Sequence, residues 1–378
     1  MTVNRKYDPS LLTMMQENQA LCVEDGLPVL VKPIPDDPRS GAVDPRVYAK
    51  AAPMFSGFKG SIVRAVLRLG ALRKPSLLQS AKHIRKAMDG IDSIPITEGV
   101  TVTSVSVPGD AADIPIRLYA SNTPTDNPRP VFYFIHGGGF VAGHMGVVDE
   151  LCKWMAAQTG CLAVQLEYRL APEHPFPAGL NDCYTVLKWI YGNIQDFGGD
   201  PQMLCISGDS AGGNLATVCA IKDRDEGTGM VKLQALLYPV VDLRDTQKNA
   251  EQSRSLFDVI PEHAQAVHGM LDAMQLLFSG FTLGEYLGLH NTAQPYASPI
   301  LDDLHGMPPT LLLFGEYDFL RAECEQYAHK LIAAQNEVCT IRYQGLFHAF
   351  AQRVGVLPQA EDALREIGRF LHTHQYSA

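Results

Sequence analysis

Six short apolar runs, separated by helical text, constrain the fold of this chain more than any other feature. They are VFYFI (131–135), CLAVQLEY (161–168), MLCISG (203–208), VKLQALLYP (231–239), TLLLFG (310–315) and VCTIRYQG (338–345). A strand apolar at nearly every position is covered on both faces, which calls for a parallel sheet with helices on either side. Helical patterns fall between and after the runs, at 147–158, 179–192, 211–224, 321–335 and 358–373. Upstream, VTVTSVSVP alternates, and IPIRLYAS reads as its hairpin partner across the turn GDAAD. The expectation is an α/β protein with a mostly parallel sheet of about eight strands.

Two regions break this rhythm. The first 30 residues read as weakly helical, and Leu27 to Pro45 as a proline-rich extended segment lying across a surface. From Asp242 to Pro299 there is helical text, such as PEHAQAVHGMLDAMQLLFSG, but no strand pattern. It reads as an insertion above the C-terminal ends of the strands. The expected organisation is a core of residues 96–242 and 296–378. A helical cap comes from residues 1–95 and from the insertion, 243–295. Within 59–86, Ile62, Val66 and Leu69 fall at helical spacing, among eight Lys or Arg and no acid. Such text reads first as a solvated helix face, and alternatively as a basic amphipathic lid that meets a lipid surface.

The strongest local signal is CISGDSAGGNLA. Gly208-Asp209-Ser210-Ala211-Gly212 is a G-x-S-x-G that directly follows a strand and directly precedes a helix. In that context it reads as a tight strand-to-helix turn presenting the Ser210 hydroxyl above the sheet, with glycines where side chains would clash. A serine nucleophile needs a base, and the base needs an orienting acid. In this architecture the chain order is Ser, then acid, then His. Of the histidines after Ser210, His348 in QGLFHAF follows a strand at its C-terminal end, where open α/β sheets place their sites. For the acid, GEYDFLRAE offers Asp318, with Glu316 as runner-up and Glu323 in the first turn of the next helix. Upstream, FIHGGGFVAG sets three glycines after a strand. Attack by serine on a carbonyl creates an oxyanion, and backbone N–H groups free of side chains are its natural stabilisers. The candidate donors are Gly138 and Gly139, then Gly137, together with Ala211. His136 reads as a brace of that loop.

Composition narrows the function classes. A formal net charge of -10 argues against nucleic acid as a partner of the whole chain. No run of eighteen apolar residues is present, so no transmembrane helix is expected. The N-terminal text has no uninterrupted apolar core and no small-residue cleavage site, so no signal peptide is read. Eight scattered cysteines without a C-x-x-C pair read as free thiols in a reducing compartment, the cytoplasm, and no clustered ligands suggest a metal. HGGGFVAG is out of step with G-x-G-x-x-G, and no phosphate-binding G-x-x-x-x-G-K-[ST] occurs. No cofactor is expected. The sequence leaves peripheral lipid contact and a homo-oligomer open.

In order along the chain, HGGGF, YRLAPEHPFPA, GDSAGG, PYASP, MPPTLLLFGEYDFLRAE and RYQGLFHAF resemble the hormone-sensitive-lipase-like (bacterial family IV) carboxylesterases of the α/β-hydrolase fold. The resemblance spans roughly residues 95 to 375. It implies a triad of Ser210, Asp318 and His348, a helical cap, and hydrolysis of small-molecule esters with short- to medium-chain acyl groups through an acyl-enzyme. The chain departs from the family at Ala349, where glycine is usual, at Phe319, where proline is usual, and in an insertion without tryptophan-rich text. The rivals are an amidase or deacetylase using the same triad, and a non-catalytic ligand receptor on this fold, which would lack the histidine retained here.

Overall fold

The computed structural model describes residues 5–57, 60, 62–63, 77–88, 93–278, 286–288 and 291–375. Its centre is one sheet built from β1 (Ala20–Glu24), β2 (Leu27–Lys32), β3 (Val100–Val107), β4 (Ile114–Ser121), β5 (Arg129–Ile135), β6 (Leu162–Leu166), β7 (Gly199–Asp209), β8 (Leu233–Leu237), β9 (Thr310–Gly315) and β10 (Val338–Tyr343). The strand order is β1-β2-β10-β9-β8-β7-β5-β6-β4-β3. Every pairing from β2 to β6 is parallel, and the outer pairings at both edges are antiparallel. All residues of β6, β8 and β9 are buried, as strands covered on both faces must be.

The sheet has ten strands where about eight were expected. The additional pair is the N-terminal hairpin, in the region read from sequence as weakly helical and then as a surface-lying segment. Its turn residues Asp25 and Gly26 have φ values of 48° and 84°, the left-handed pair that a two-residue hairpin turn requires. β2 pairs in parallel with β10 in the register Leu30–Ile341, Val31–Arg342, Lys32–Tyr343. Leu27, Val29 and Val31 point into the core at alternate positions. Lys32 is buried and ion-paired with Asp362 at 3.2 Å and Glu366 at 2.5 Å. A cation withdrawn from water needs such partners.

The helices of the core are α1 (Ser10–Glu17), α4 (Asp149–Thr159), α5 (Ala178–Asn193), α6 (Ala211–Glu226), α9 (Arg321–Ala333) and α10 (Pro358–Gln375). Between them in sequence lie α2 (Pro45–Phe55), α3 (Leu77–Met88), α7 (Thr246–Ser255) and α8 (Ala264–Phe278). α10 packs on α1 and α4, and α5 packs on α6.

α2 starts at Asp44, whose carboxylate accepts the Arg46 N–H, with Pro45 as the first helical residue. It packs on α8 of the insertion. The Tyr48 ring lies 4.0 Å from that of His263, and the Val43 N–H donates to His263 Nδ1 at 2.9 Å. A side chain at Gly269 would come within 2.6 Å of the Phe55 side chain, so glycine allows this close approach. Of the expected apolar stripe, Ile62 is 50% exposed, and Val66 and Leu69 lie outside the described residues.

Candidate active site

β7 delivers the chain to Ser210, which caps α6 with φ 56° and ψ −119°. A non-glycine residue in that region is strained, and surrounding structure must hold it there. The glycines on either side make the turn possible. A side chain at Gly208 would overlap the Gly212 carbonyl, and one at Gly212 would overlap the Ile135 carbonyl oxygen. The Ser210 N–H donates to the Leu237 carbonyl at 2.9 Å, tying the turn to the end of β8.

Asp318 lies in the turn after β9, and His348 in the loop after β10. The strand order places both loops beside the serine turn, at the C-terminal edge of neighbouring parallel strands. His348 Nδ1 is 3.0 and 2.9 Å from the two Asp318 carboxylate oxygens, and His348 Nε2 is 2.9 Å from Ser210 Oγ. An ionised carboxylate only accepts, so Nδ1 carries the proton. Nε2 is then free to accept the Ser210 hydroxyl. Asp318 is fully buried and also accepts the Leu320 N–H at 2.9 Å. The rings of Tyr238 and Phe319 stand edge-on to the imidazole at 4.7 and 4.8 Å and fix its plane. In this relay an imidazole can withdraw a hydroxyl proton while a buried carboxylate holds the ring in the required tautomer.

The two other carboxylates are committed elsewhere. Glu316 accepts the Gly345 N–H at 2.8 Å, and burial raises its pKa. Glu323 lies in the first turn of α9, where the sequence places it. It is 1% exposed there, and accepts the Val241 N–H at 2.8 Å and the Asn249 side-chain amide at 3.0 Å. Burial pushes its carboxyl up to about 8.

The glycine run after β5 turns tightly. Gly138 and Gly139 have φ values of 126° and 62°, and the Gly138 carbonyl accepts the N–H groups of Val141 and Ala142 at 3.3 and 3.0 Å. Among the described residues, no protein acceptor takes the N–H of Gly138, Gly139 or Ala211. Gly137 differs. Its N–H donates to Asp209 Oδ1 at 2.8 Å, which removes it from the expected set of oxyanion donors. A side chain there would come within 2.6 Å of the other Asp209 oxygen. His136 Nδ1 donates to the Gly137 carbonyl at 2.9 Å, and its ring stacks on Tyr168 at 4.4 Å. Burial lowers its pKa to about 4, so it stays neutral and braces the loop, as its position suggested.

Asp209 was not singled out from the sequence. It is 1% exposed and joins two loops, because it also accepts the Gln352 side-chain amide at 2.6 Å. Burial raises its pKa to about 6. The signal lay inside the motif itself, as an acid beside the serine with no place in the relay. Among the described residues no group of three potential ligands could hold a metal ion, and no helix is long and apolar enough to cross a membrane.

A ten-stranded, mostly parallel sheet carrying a serine turn, a histidine and an acid on its C-terminal edge defines an α/β hydrolase. The profile of a family described as alpha/beta hydrolase fold matches residues 132–352. Esterase LipI of Mycobacterium tuberculosis is 32% identical over 76% of this chain and 87% of its own length. Carboxylesterase NlhH of the same organism is 33% identical over 69% of this chain and 79% of its own. The hyperthermophilic esterase of the archaeon Pyrobaculum calidifontis superposes with a TM-score of 0.65 at 32% identity, covering 83% of this chain and 98% of that structure. The chain belongs to the hormone-sensitive-lipase-like esterases of the α/β-hydrolase fold, and it is an ester-hydrolysing enzyme.

Proposed function

We propose that this enzyme is a serine carboxylesterase acting on short- to medium-chain acyl esters, with Ser210 as nucleophile, His348 as base and Asp318 as its orienting acid. Ser210 Oγ bonds to the ester carbon while its proton passes to His348 Nε2. The carbonyl oxygen becomes an oxyanion, met by the N–H groups of Gly138, Gly139 and Ala211. Collapse breaks the bond to the alcohol, which leaves with the proton from the imidazolium. Water then gives a proton to His348 and attacks the acyl-enzyme, releasing the acid and restoring the Ser210 hydroxyl. No metal or organic cofactor enters this scheme.

The observation that carries the reading is the unbroken relay of 2.9 Å contacts from Ser210 to His348 to the buried Asp318. The chain-length reading rests on a cap, which we assign to residues 33–95 and 243–295, since α1 packs on the core helix α10 and the hairpin 20–32 belongs to the sheet. The Tyr286 ring stacked on Phe140 at 3.7 Å, just beyond the glycine run, supports it. We assign the enzyme to the cytoplasm, since its eight cysteines are free thiols. The test is a series of p-nitrophenyl esters from acetate to palmitate, with Ser210→Ala alongside. The expected result is a maximum at the short to middle members and no turnover by the variant. A variant retaining a tenth of wild-type turnover would overturn the nucleophile.

A further inference from the structure

One cation of the N-terminal helices reaches the glycine loop. Arg85, on α3, donates from Nε to the Val141 carbonyl at 2.7 Å and from one terminal nitrogen to the Ala171 carbonyl at 3.1 Å. Its two terminal nitrogens also hold both carboxylate oxygens of Glu173, at 2.9 and 2.7 Å. This fork takes in two loops that are already joined, because the Ala171 N–H donates to the Phe140 carbonyl at 3.0 Å. Val141 belongs to the turn closed on the Gly138 carbonyl. Arg85 therefore fixes the outer side of the turn whose inner side is fixed by Asp209 through Gly137. The Gly138 and Gly139 N–H groups lie between these two anchors in the chain.

A solvent-exposed ion pair would contribute little. The two carbonyl contacts are different in kind. Val141 is fully buried, and its carbonyl loses its side-chain donor if Arg85 is removed. The planar guanidinium also serves both carbonyls and the carboxylate at once, a geometry that the single ammonium of lysine does not reproduce. Glu173 complements this arrangement, and Arg85 holds its carboxyl down at about 2.

We propose that Arg85 is a positioning residue for the oxyanion loop, so that docking of α3 sets the direction of the Gly138 and Gly139 N–H groups. The N-terminal cap then acts on the chemical step as well as on access. This rests on the proposed reading that those N–H groups receive the oxyanion. An error of about 1 Å in such a group costs on the order of 100-fold in rate.

The test compares wild type with Arg85→Ala, Arg85→Lys and Glu173→Gln. Three quantities are measured: kcat and KM on p-nitrophenyl butyrate, inhibition by an alkyl trifluoromethyl ketone, and thermal midpoint. The ketone adds the serine oxygen to its carbonyl and places an oxyanion in the hole. Removing Arg85 should lower kcat by about ten- to a hundred-fold with little change in KM, and weaken the ketone in parallel. Lysine should not rescue either quantity. Glu173→Gln leaves the carbonyl contacts in place and should stay within about three-fold of wild type. If Arg85→Ala does not fold, Arg85→Lys decides. A folded Arg85 variant with wild-type kcat, with a loss confined to KM, or with unweakened ketone binding overturns the proposal. Failure of the underlying reading is visible separately. In that case wild type itself would bind the fluoroketone no better than the parent methyl ketone.

Discussion

Asp209→Asn should stabilise the folded enzyme, and by an amount that grows with pH. The carboxyl is 1% exposed, and burial raises its pKa from 3.8 to about 6 despite hydrogen bonds from Gly137 and Gln352. A folded pKa above the unfolded one means that the folded state holds the proton more tightly. The associated stability is fully present below pH 3.8 and is lost as pH rises through about 6. Asparagine mimics the protonated acid and avoids that loss. Its oxygen can still accept the Gly137 N–H. Its amide can donate to Gln352 once that side chain rotates, since Gln352 Oε1 has no partner among the described residues. The gain over wild type is then about 1 kcal/mol at pH 4.5 and about 3 kcal/mol at pH 7.5. For a chain of 378 residues the larger value corresponds to about 4 °C in Tm. The assay is paired denaturant and thermal unfolding of both proteins at the two pH values. Because it is a difference between two proteins, every other titrating group cancels to first order. A gain that is equal at both pH values, or a variant less stable than wild type at pH 7.5, refutes the reasoning.

Two further outcomes follow from the relay and the serine turn. Asp318→Asn should lower kcat by about 10⁴-fold by favouring the wrong imidazole tautomer, whereas Glu316→Gln, which still faces the Gly345 N–H, should cost far less; steady-state kinetics giving the reverse ranking would reassign the acid. Ser210→Gly should abolish turnover yet raise the unfolding midpoint by relieving a strain of about 1–3 kcal/mol, measured against Ser210→Ala, which keeps the strained backbone.

Much of this site could be read along the chain because its parts are local. Ser210 and its glycines answer to one turn, and the glycine run to one loop. His348 follows its strand closely, so order along the chain became order along the sheet edge. What escaped was set by pairing at a distance. Asp318 and Glu316 are two residues apart at the same strand end, and sequence separates them weakly. The structure separates them through Gly345 and His348, about thirty residues downstream. The N-terminal hairpin had a local signal, Asp25-Gly26 between apolar stretches. Its first strand alternates poorly, with Leu21 and Val23 exposed, so the text looked helical. Only its partner β10, some three hundred residues away, identifies β2 as part of the sheet.

The same contrast explains how the glycine loop can be both permissive and stiff. Three successive glycines cost backbone entropy and supply no side-chain contacts of their own. A loop left at that would not hold N–H groups aimed at a developing charge. The restraint comes from residues outside the run, each from a different part of the chain. Asp209 holds Gly137, Tyr168 donates to the His136 carbonyl at 2.9 Å, the Ala171 N–H holds Phe140, and Arg85 holds Val141. Tyr168 and Arg85 reach the loop at carbonyls outside the glycine run, and the Asp209 carboxylate takes the space that a side chain at Gly137 would fill. The motif supplies the space, and distant residues supply the rigidity. Substitutions that remove the Tyr168 hydroxyl or the Arg85 guanidinium should therefore lower kcat through the loop, although neither contributes a group to the relay.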